Sequence, residues 1–215
     1  MRRILLVAGL AFLLFTPTVA QQTGLTEGQE KAADLEMPEL TKLMELKPGM
    51  AVADVGAGFG AWTVRFAKVI GGSGRVYATD IGAAQLAALR EAVRRDALSN
   101  VTVIEGAATA TNLPALCCDA ILIRDAYHHL TQPEDIVKSL AAALKPGGRL
   151  AVIDFPPRPN SEVPSGVPTN RRGHGVPPEV VEREVGAVLS HVQTISTWIP
   201  ANQPASLYLV LFRKP

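Results

Sequence analysis

The sequence lacks a surplus of charge of either sign, since 21 Lys and Arg residues oppose 20 Asp and Glu residues for a formal net charge of +1. The basic surplus that draws proteins to nucleic acid is therefore missing, and we predict no nucleic-acid partner. Internal repeats and coiled-coil heptads are missing too, which argues against solenoids and rods. The 215 residues, 47% of them hydrophobic, are enough for one sizeable core and predict a single domain.

Cysteine is nearly absent, and the two that occur, Cys117 and Cys118, are neighbours in the chain. Adjacent cysteines rarely bond to each other because the required geometry strains the backbone. No His or Cys lies at zinc-finger spacing from them. We therefore interpret both as small buried residues near the start of a strand, and we predict no metal site from them.

The sequence also lacks an apolar run of the roughly 20 residues that a membrane-spanning helix needs. The run Ile4–Phe15 is shorter, follows two arginines and precedes small residues at positions 18–20. This pattern predicts that residues 1–20 are a secretory signal peptide and that residues 21–215 form an exported, periplasmic domain. An uncleaved N-terminal anchor is the alternative, and it too would place the domain outside the cytoplasm. Membrane contact is expected only through this segment.

Strand-type and helix-type segments alternate along most of the chain, which predicts a parallel sheet with helices on both faces. The predicted strands are 51–55, 75–79, 101–104, 119–124 and 149–154. The predicted helices are one that ends near residue 70 and three that span 83–97, 133–144 and 178–189. Before them, residues 26–46 are helical in character, with Leu35 and Leu40 among the expected buried positions. Pro38 is expected to split this region into two short helices.

The C-terminal part of the chain differs in kind. Residues 155–178 are rich in Pro, Gly and polar side chains, and a loop of this length in a compact domain is usually functional or mobile. Two β-type runs, 192–198 and 207–213, close the chain. Their short connection predicts an antiparallel hairpin at the edge of the sheet.

Three glycines at alternate positions, Gly56, Gly58 and Gly60, follow the first predicted strand. Trp62 and Phe66 recur behind them at helical spacing, so the glycines lie where a strand turns sharply into a helix. Glycine can take positive φ at such a turn and lets the backbone approach a ligand. The helix directs its first N–H groups and the positive end of its dipole at that ligand, which favours an anionic group. The loop therefore predicts a nucleotide-type cofactor.

The spacing of the loop and an acid on the next strand narrow the choice of cofactor. Asp80 ends the second predicted strand, where its carboxylate can accept both ribose hydroxyls of an adenosine. The glycine pattern after Asp54 is G-x-G-x-G, whereas a dinucleotide loop reads G-x-G-x-x-G. The stretch resembles motif I of the class I S-adenosylmethionine (SAM)-dependent methyltransferases, whose usual form is close to D-x-G-x-G-x-G.

The resemblance covers roughly Glu27–Arg213. The segment Leu144–Leu150 resembles the turn before the fifth strand of that family, and the closing hairpin is similar as well. Tyr127–Leu130 and His174 are similar to a subset of small bacterial methyltransferases, several of them exported. The resemblance implies a Rossmann-like α/β fold, a doubly wound, mostly parallel sheet with a C-terminal antiparallel hairpin, and SAM as the cofactor.

In such sheets the ligand binds beyond the carboxyl ends of the strands, at the point where the strand order reverses. The resemblance implies that the cofactor-binding residues are Asp54, Gly56, Ala57, Gly58, Gly60, Asp80, Ile81, Ala107, Ala108 and Arg124. The family commonly has an acidic residue just after the glycine that follows the third strand, where it binds the adenine amino group. Here Gly106 is followed by two alanines. A backbone amide or the side chain of Asn112 could bind the adenine amino group instead.

The polar cluster after the fourth predicted strand, residues 125–129, is the candidate acceptor site. Adjacent histidines on a regular strand cannot both face the same way, so we expect one of Tyr127 or His128 to line the acceptor site as the catalytic residue. The alternative is that these side chains brace the strand end by hydrogen bonds. We predict no metal site, because a third ligand is not evident, although His174 could come near. His174 is more simply interpreted as part of a lid.

The favoured function is transfer of a methyl group from SAM to a small-molecule acceptor. The donor is already activated, so the protein mainly has to align the reacting atoms and exclude water. A non-catalytic protein that binds SAM or a nucleotide on the same fold is the first alternative. An NAD(P)-linked oxidoreductase is the second, and the glycine spacing and the lack of a Tyr-x-x-x-Lys pair disfavour it. The sequence indicates neither the acceptor nor the oligomeric state.

Overall fold

The computed structural model describes residues 24–199 and 207–215, which form one seven-stranded sheet with helices on both faces. The predicted signal peptide, residues 1–20, lies outside the described residues. The strands are β1 (Ala51–Val55), β2 (Arg75–Asp80), β3 (Val101–Glu105), β4 (Cys118–Arg124), β5 (Leu144–Asp154), β6 (Ser190–Ile195) and β7 (Tyr208–Arg213). Their order is β3-β2-β1-β4-β5-β7-β6. The first five strands are parallel, and β7 pairs antiparallel with both β5 and β6.

The helices are α1 (Glu27–Leu43), α2 (Ala61–Ile70), α3 (Ala83–Arg95), α4 (Pro133–Ala143) and α5 (Pro178–Gly186). Helices α1, α2 and α3 cover one face of the sheet, and α4 and α5 cover the other. Within the described residues, none of the helices combines the length and the apolar character that a membrane span requires. The predicted doubly wound α/β fold with its terminal antiparallel strands is confirmed.

Strand β4 shows why the central sequences are nearly all apolar. Ala120 and Leu122 pack into the core beneath α1 and α2, whereas Ile121 and Ile123 pack into the core beneath α4 and α5. Side chains alternate between the two faces of a strand, and here both faces are covered. A central strand with no polar face places its functional groups at its end, which is where the site lies.

Helix α1 continues through Pro38, so the expected division into two short helices is wrong. Met37 and Leu40, on either side of the proline, are buried in the core, and this packing holds the helix together despite the missing N–H. The Thr41 hydroxyl donates to the Met37 carbonyl at 2.8 Å. Leu35 is 63% exposed rather than buried.

Strand β5 begins at Leu144, five residues earlier than predicted, because Leu144 already pairs with Cys118. The register then shifts between Cys118 and Ala120, and Gly147 has φ 78°. The Lys-Pro-Gly-Gly segment is thus an irregular first part of the strand and not a turn that precedes it. Bulges of this kind bend a strand without ending its pairing.

The two cysteines form a disulfide bond with each other, so the expectation that neighbours do not pair is wrong. They lie at the start of β4, as predicted, with Cys118 buried and Cys117 half-buried. The irregular pairing next to Cys118 loosens the ladder at this point. The backbone there is therefore not held to regular strand geometry.

Candidate functional site

The carboxyl ends of β1, β2 and β4 open onto a cavity of about 460 Å³, and a smaller cavity of about 120 Å³ adjoins it. The strand order reverses between β1 and β4, and open α/β sheets bind their ligands at such a point. The larger volume lies within the range of roughly 300–1,000 Å³ that is common for small-molecule sites. Both cavities are lined by Gln29, Gly56, Gly58, Phe59 and Asp125.

The glycine loop lies where the two cavities meet. Gly56, Gly58 and Gly60 all have positive φ, at 71°, 55° and 88°. A Cβ on Gly56 would lie 2.6 Å from the Ala126 Cβ, and one on Gly60 would lie 2.7 Å from the Leu89 Cδ1. A Cβ on Gly58 would meet no described atom within 4 Å. The outer two glycines therefore permit close packing, and the middle one leaves room for a ligand.

Asp80 fastens this loop to the end of β2. One carboxylate oxygen accepts the Gly58 N–H at 2.9 Å, and the other accepts the N–H groups of Ile81 and Gly82 at 2.8 and 2.9 Å. A carboxylate offers about four acceptor positions, so one remains, on the oxygen that Gly58 contacts. The carboxylate as it stands can therefore accept one ribose hydroxyl and not the two expected from the sequence, and backbone N–H groups already hold it in place.

Asp54 is buried near the end of β1 and lines the smaller cavity. One of its oxygens accepts the Thr63 hydroxyl at 2.6 Å. Burial raises the pKa of Asp54 to about 6; the Thr63 hydrogen bond opposes this rise, and the charge of Asp80 adds to it. A cationic ligand beside this carboxyl would favour its ionised form.

Arg124 lines the smaller cavity and forms a buried ion pair with Glu36 of α1. The guanidinium donates to both Glu36 oxygens, with distances from 3.0 to 3.3 Å. It also lies over the Trp62 ring, 4.0 Å from the centroid, and the Trp62 Nε1–H donates to Glu36 at 2.9 Å. These contacts hold α1 across the end of β4. Arg124 therefore joins the N-terminal helix to the cavity wall.

The segment after β3 forms another wall of the larger cavity. Ala107 and Ala108 both line it, and the Ala107 N–H donates to the Ala110 carbonyl at 2.7 Å. Asn112 is exposed, and its side-chain amide donates to the Glu105 carbonyl at 2.9 Å. What this segment offers a ligand is therefore its backbone, and the Asn112 side chain is turned to another partner.

A short 3₁₀ helix, Tyr127–His129, follows β4 in place of an extension of the strand. The alternation expected of a strand therefore does not apply, and the ring centroids of His128 and His129 lie 4.0 Å apart. His129 is exposed and lines the larger cavity. Desolvation by the surrounding protein lowers the pKa of His129 and of His174, and the neighbouring His128 adds to both shifts.

Tyr127 and His128, the two predicted catalytic residues, lie behind the cavity wall. The Tyr127 hydroxyl donates to Glu184 of α5 at 2.9 Å, and the His128 Nδ1 lies 2.9 Å from an oxygen of Asp154. Both side chains are buried, and neither is among the described residues that line the two cavities. Their contacts brace the strand ends. A catalytic role for either residue stays a prediction.

Comparison with known proteins agrees with this geometry. The family model described as "Methyltransferase domain" matches residues 52–148, from β1 into β5. The chain is 34% identical over 110 residues to the ubiquinone/menaquinone biosynthesis C-methyltransferase UbiE of Shewanella halifaxensis. That match covers 51% of this chain and 44% of the relative, so the chain spans less than half the length of the curated relative it matches.

Solved structures extend the likeness to most of the chain. A SAM-dependent methyltransferase from Aquifex aeolicus matches with a TM-score of 0.63 and 23% identity, over 87% of this chain and 98% of that one. Residues 52–148 match the methyltransferase-domain model, and the solved structure shares the fold of most of the chain. The same fold occurs in the [4+2]-cyclase SpnF, with a TM-score of 0.68 and 18% identity over 86% of this chain and 81% of that one.

The cofactor predicted from the sequence is S-adenosylmethionine. Six of the residues predicted to bind it line the larger cavity: Gly56, Gly58, Asp80, Ile81, Ala107 and Ala108. Asp54, Ala57 and Arg124 line the smaller cavity, and Gly60 lines neither. Gly60 instead precedes the first residue of α2 and packs against Leu89. The individual contacts with the cofactor stay predictions.

Other residues line the larger cavity without having been assigned a role from the sequence: Gln29, Thr79, Gly82, Gln85, Thr111, Leu130, Thr131 and Ile136. Thr79 and Gly82 flank Asp80, so their positions could have been inferred from that strand end. Gln29 gives no such signal, because its place depends on how α1 packs across the strand ends.

Proposed function

We propose that this protein transfers the methyl group of SAM to a small, largely apolar acceptor bound at the β4 end of the larger cavity. The observation that carries the proposal is the continuity of that cavity. It runs from Asp80 and the glycine loop to His129, Leu130 and Ile136. One space of this size can hold a nucleoside-type donor at one end and an acceptor at the other.

The chemistry needs little from the protein beyond placement. The sulfonium carbon of SAM is already activated, and the acceptor attacks in line while the bond from carbon to sulfur breaks. Alignment of the reacting atoms and exclusion of water are the main contributions to the rate. The apolar side chains of Leu130 and Ile136 and the edge of the His129 ring are suited to position a flat ring.

The relatives suggest a first acceptor to test. The UbiE proteins are named as C-methyltransferases of ubiquinone and menaquinone biosynthesis, and the methyltransferase-domain model matches residues 52–148, which include the strands that build the cavity. A quinone-type ring with a short side chain is therefore the leading acceptor class for this chain. The chain spans less than half of that relative, so the acceptor is tested separately from cofactor binding.

The deciding experiment has two stages. Calorimetric titration of the protein with SAM, S-adenosylhomocysteine and NAD is expected to show binding of the first two and no binding of NAD. Transfer of labelled methyl from SAM is then measured with a demethylated quinol and with a panel of small phenols and thiols. Transfer to any of them supports the proposal. SAM binding without transfer to any acceptor favours a non-catalytic role, and the cyclase with this fold shows that the fold alone does not fix methyl transfer.

We also propose that the domain is exported, as the N-terminal pattern predicts. The disulfide between Cys117 and Cys118 supports this location, because disulfides persist mainly in oxidising compartments. Fusion of the first 23 residues to a reporter enzyme that matures only outside the cytoplasm is expected to give activity. A reporter that stays inactive would contradict export and leave the methyltransferase proposal intact.

A further inference from the structure

Three of the four histidines in the chain meet at the acceptor end of the larger cavity. His128 and His129 come from the 3₁₀ helix after β4, and His174 comes from the long loop after β5. The centroid of the His174 ring lies 5.0 Å from that of His128 and 5.5 Å from that of His129. Each ring offers one nitrogen, and these nitrogens all lie within 4.8 Å of one another.

The loop is shaped to bring His174 to this place. His174 lies between Gly173 and Gly175, which have φ of 139° and 127°. A Cβ on Gly175 would lie 2.7 Å from the Pro156 carbonyl oxygen, so only glycine permits this approach. The His174 N–H donates to the Ser161 hydroxyl at 2.8 Å, and its carbonyl accepts the Arg158 N–H at 2.9 Å. His174 is therefore anchored by its backbone on both sides.

His128 is held in the way that is usual for a metal-bound histidine. Asp154, fully buried at the end of β5, lies 2.9 Å from its Nδ1 and also accepts the His128 N–H at 3.0 Å. A carboxylate behind Nδ1 fixes the ring orientation and leaves Nε2 as the nitrogen for a ligand. Asp154 accepts the Phe155 N–H as well, at 2.8 Å. With three hydrogen bonds it acts as the support of a ligand and not as a ligand itself.

The His174 side chain adds an independent indication. Its Nε2 is buried and has no hydrogen-bond partner among the described residues. An unpaired buried polar atom costs roughly 1–3 kcal/mol, which argues for a partner that the protein chain does not supply. The Phe155 ring also lies edge-on to the His174 ring, with centroids 5.6 Å apart, and offers it no hydrogen-bonding group. The nitrogen therefore points to a bound species.

We infer that His128, His129 and His174 form a site for a divalent first-row transition metal of the zinc class. Imidazole nitrogens suit Zn²⁺, Co²⁺ and Ni²⁺, and three histidines leave a fourth position open. Tetrahedral coordination at about 2.0–2.1 Å brings ligand nitrogens to about 3.3 Å from one another. Rotation of the exposed His129 ring and a small shift of His174 supply this contraction, while Asp154 keeps His128 in place.

The site lies where an acceptor would bind, because His129 also lines the larger cavity. A metal there would bind a hydroxyl or thiol of the acceptor in its open position and favour the anion, with the proton released to solvent. This consequence rests on the proposed function, whereas the metal site itself does not. Under this inference, the acceptors are molecules that carry an oxygen or sulfur atom able to bind zinc.

The test uses the full chain without a histidine affinity tag, stripped with a chelator and titrated with Zn²⁺ by calorimetry and with Co²⁺ by visible absorption. One equivalent is expected to bind with micromolar or tighter affinity, and Co²⁺ should give the absorption bands of a tetrahedral site. His129→Ala and His174→Ala should each weaken Zn²⁺ binding at least tenfold. His191→Ala is the matched control, because His191 is the fourth histidine and lies on β6; it should change binding less than twofold.

Absence of Zn²⁺ binding by the wild type, or equal losses in His191→Ala and His174→Ala, would overturn the site. Because His128 is buried, its replacement could unfold the protein, so the two more accessible histidines carry the test and circular dichroism confirms that they fold. SAM binding is measured on the same samples. SAM binding without metal binding contradicts only this inference, and metal binding without SAM binding contradicts only the proposed function.

Discussion

The Asp80 carboxylate accepts a hydrogen bond from the Gly58 N–H at 2.9 Å, which ties the end of β2 to the middle of the glycine loop. This contact precedes any ligand, so the loop is already shaped by the residue that is expected to bind the ribose. The glycine loop after β1 and the Asp80 carboxylate at the end of β2 thus form one structural unit. Loss of the acid should therefore damage both the loop and the ribose contact.

We predict that Asp80→Ala weakens SAM binding at least tenfold, which corresponds to about 1.4 kcal/mol. The carboxylate would no longer accept the ribose or hold Gly58. Glu105→Ala is the control, because Glu105 is the residue opposite Asp80 on β3, is exposed, and lies outside the cavity lining. Calorimetric titration measures both. Equal affinity of the Asp80 variant and the wild type would remove Asp80 from the cofactor site.

We predict that Gly60→Ala lowers the free energy of unfolding by about 1–3 kcal/mol. The φ of 88° and the Leu89 Cδ1 at 2.7 Å from the new Cβ both oppose a side chain at this position. Gly72→Ala, where no described atom lies within 4 Å of the added Cβ, should change stability by less than about 0.5 kcal/mol. Urea denaturation compares the two, and similar losses in both would contradict the packing role of Gly60.

The pKa of Asp54 predicts a pH dependence of stability. Burial raises this pKa from 3.8 to about 6 in the folded protein, so the folded state holds a proton that the unfolded state loses. The stability from this group is present in full below pH 3.8 and is lost as the pH rises to about 6, by about 3 kcal/mol. Asn at this position cannot ionise and still accepts the Thr63 hydroxyl.

The measurement is the difference in unfolding free energy between Asp54→Asn and the wild type from pH 4 to pH 8. This difference should shift in favour of the variant between pH 4 and 6 and stay constant above that range. Subtraction removes the other titrating groups, which the two proteins share. Parallel curves over the whole range would show that Asp54 is not shifted in the folded state.

We predict that Arg171→Ala lowers the free energy of unfolding by about 3–5 kcal/mol. Arg171 is fully buried, and its guanidinium donates to both oxygens of Glu184 at 2.9 and 3.0 Å. Its loss would leave the Glu184 carboxylate without its buried cation, and Tyr127 shares that carboxylate. Arg172→Ala is the neighbouring control, since Arg172 is exposed, and it should cost less than about 1 kcal/mol. Denaturant titration that finds equal effects would contradict the buried ion pair.

The sequence was most informative where a local rule applies. Glycines at 56, 58 and 60 require a sharp turn, and the apolar runs of β1 and β4 require burial on both faces, so the order of elements and the place of the cofactor loop could be predicted. Asp80 could be placed because the end of a parallel strand is set by its own sequence. These inferences need no knowledge of distant contacts.

The rest depends on residues far apart in the chain. His174 is 46 positions from His128, and its approach rests on the close contact of Gly175 with Pro156. His129, and not His128, is exposed to the cavity, because a 3₁₀ turn replaces the strand at this point. The alternation of side chains along a strand does not predict that turn. Pro38 is tolerated because the core on either side of it outweighs one lost N–H. In each case tertiary packing prevails over a local preference.

The two ends of the large cavity are built by different stretches of the chain. The glycine loop and Asp80 belong to the first half of the sheet, whereas the loop after β5 supports the other end, with His174 beside His129 and with Gly166, at which a Cβ would lie 3.2 Å from the Thr131 Cγ2. Changes of sequence in that later loop can reshape the end proposed for the acceptor without disturbing the end proposed for the cofactor. The loop after β5 is thus a specificity element that can be altered, by natural variation or by design, separately from cofactor affinity.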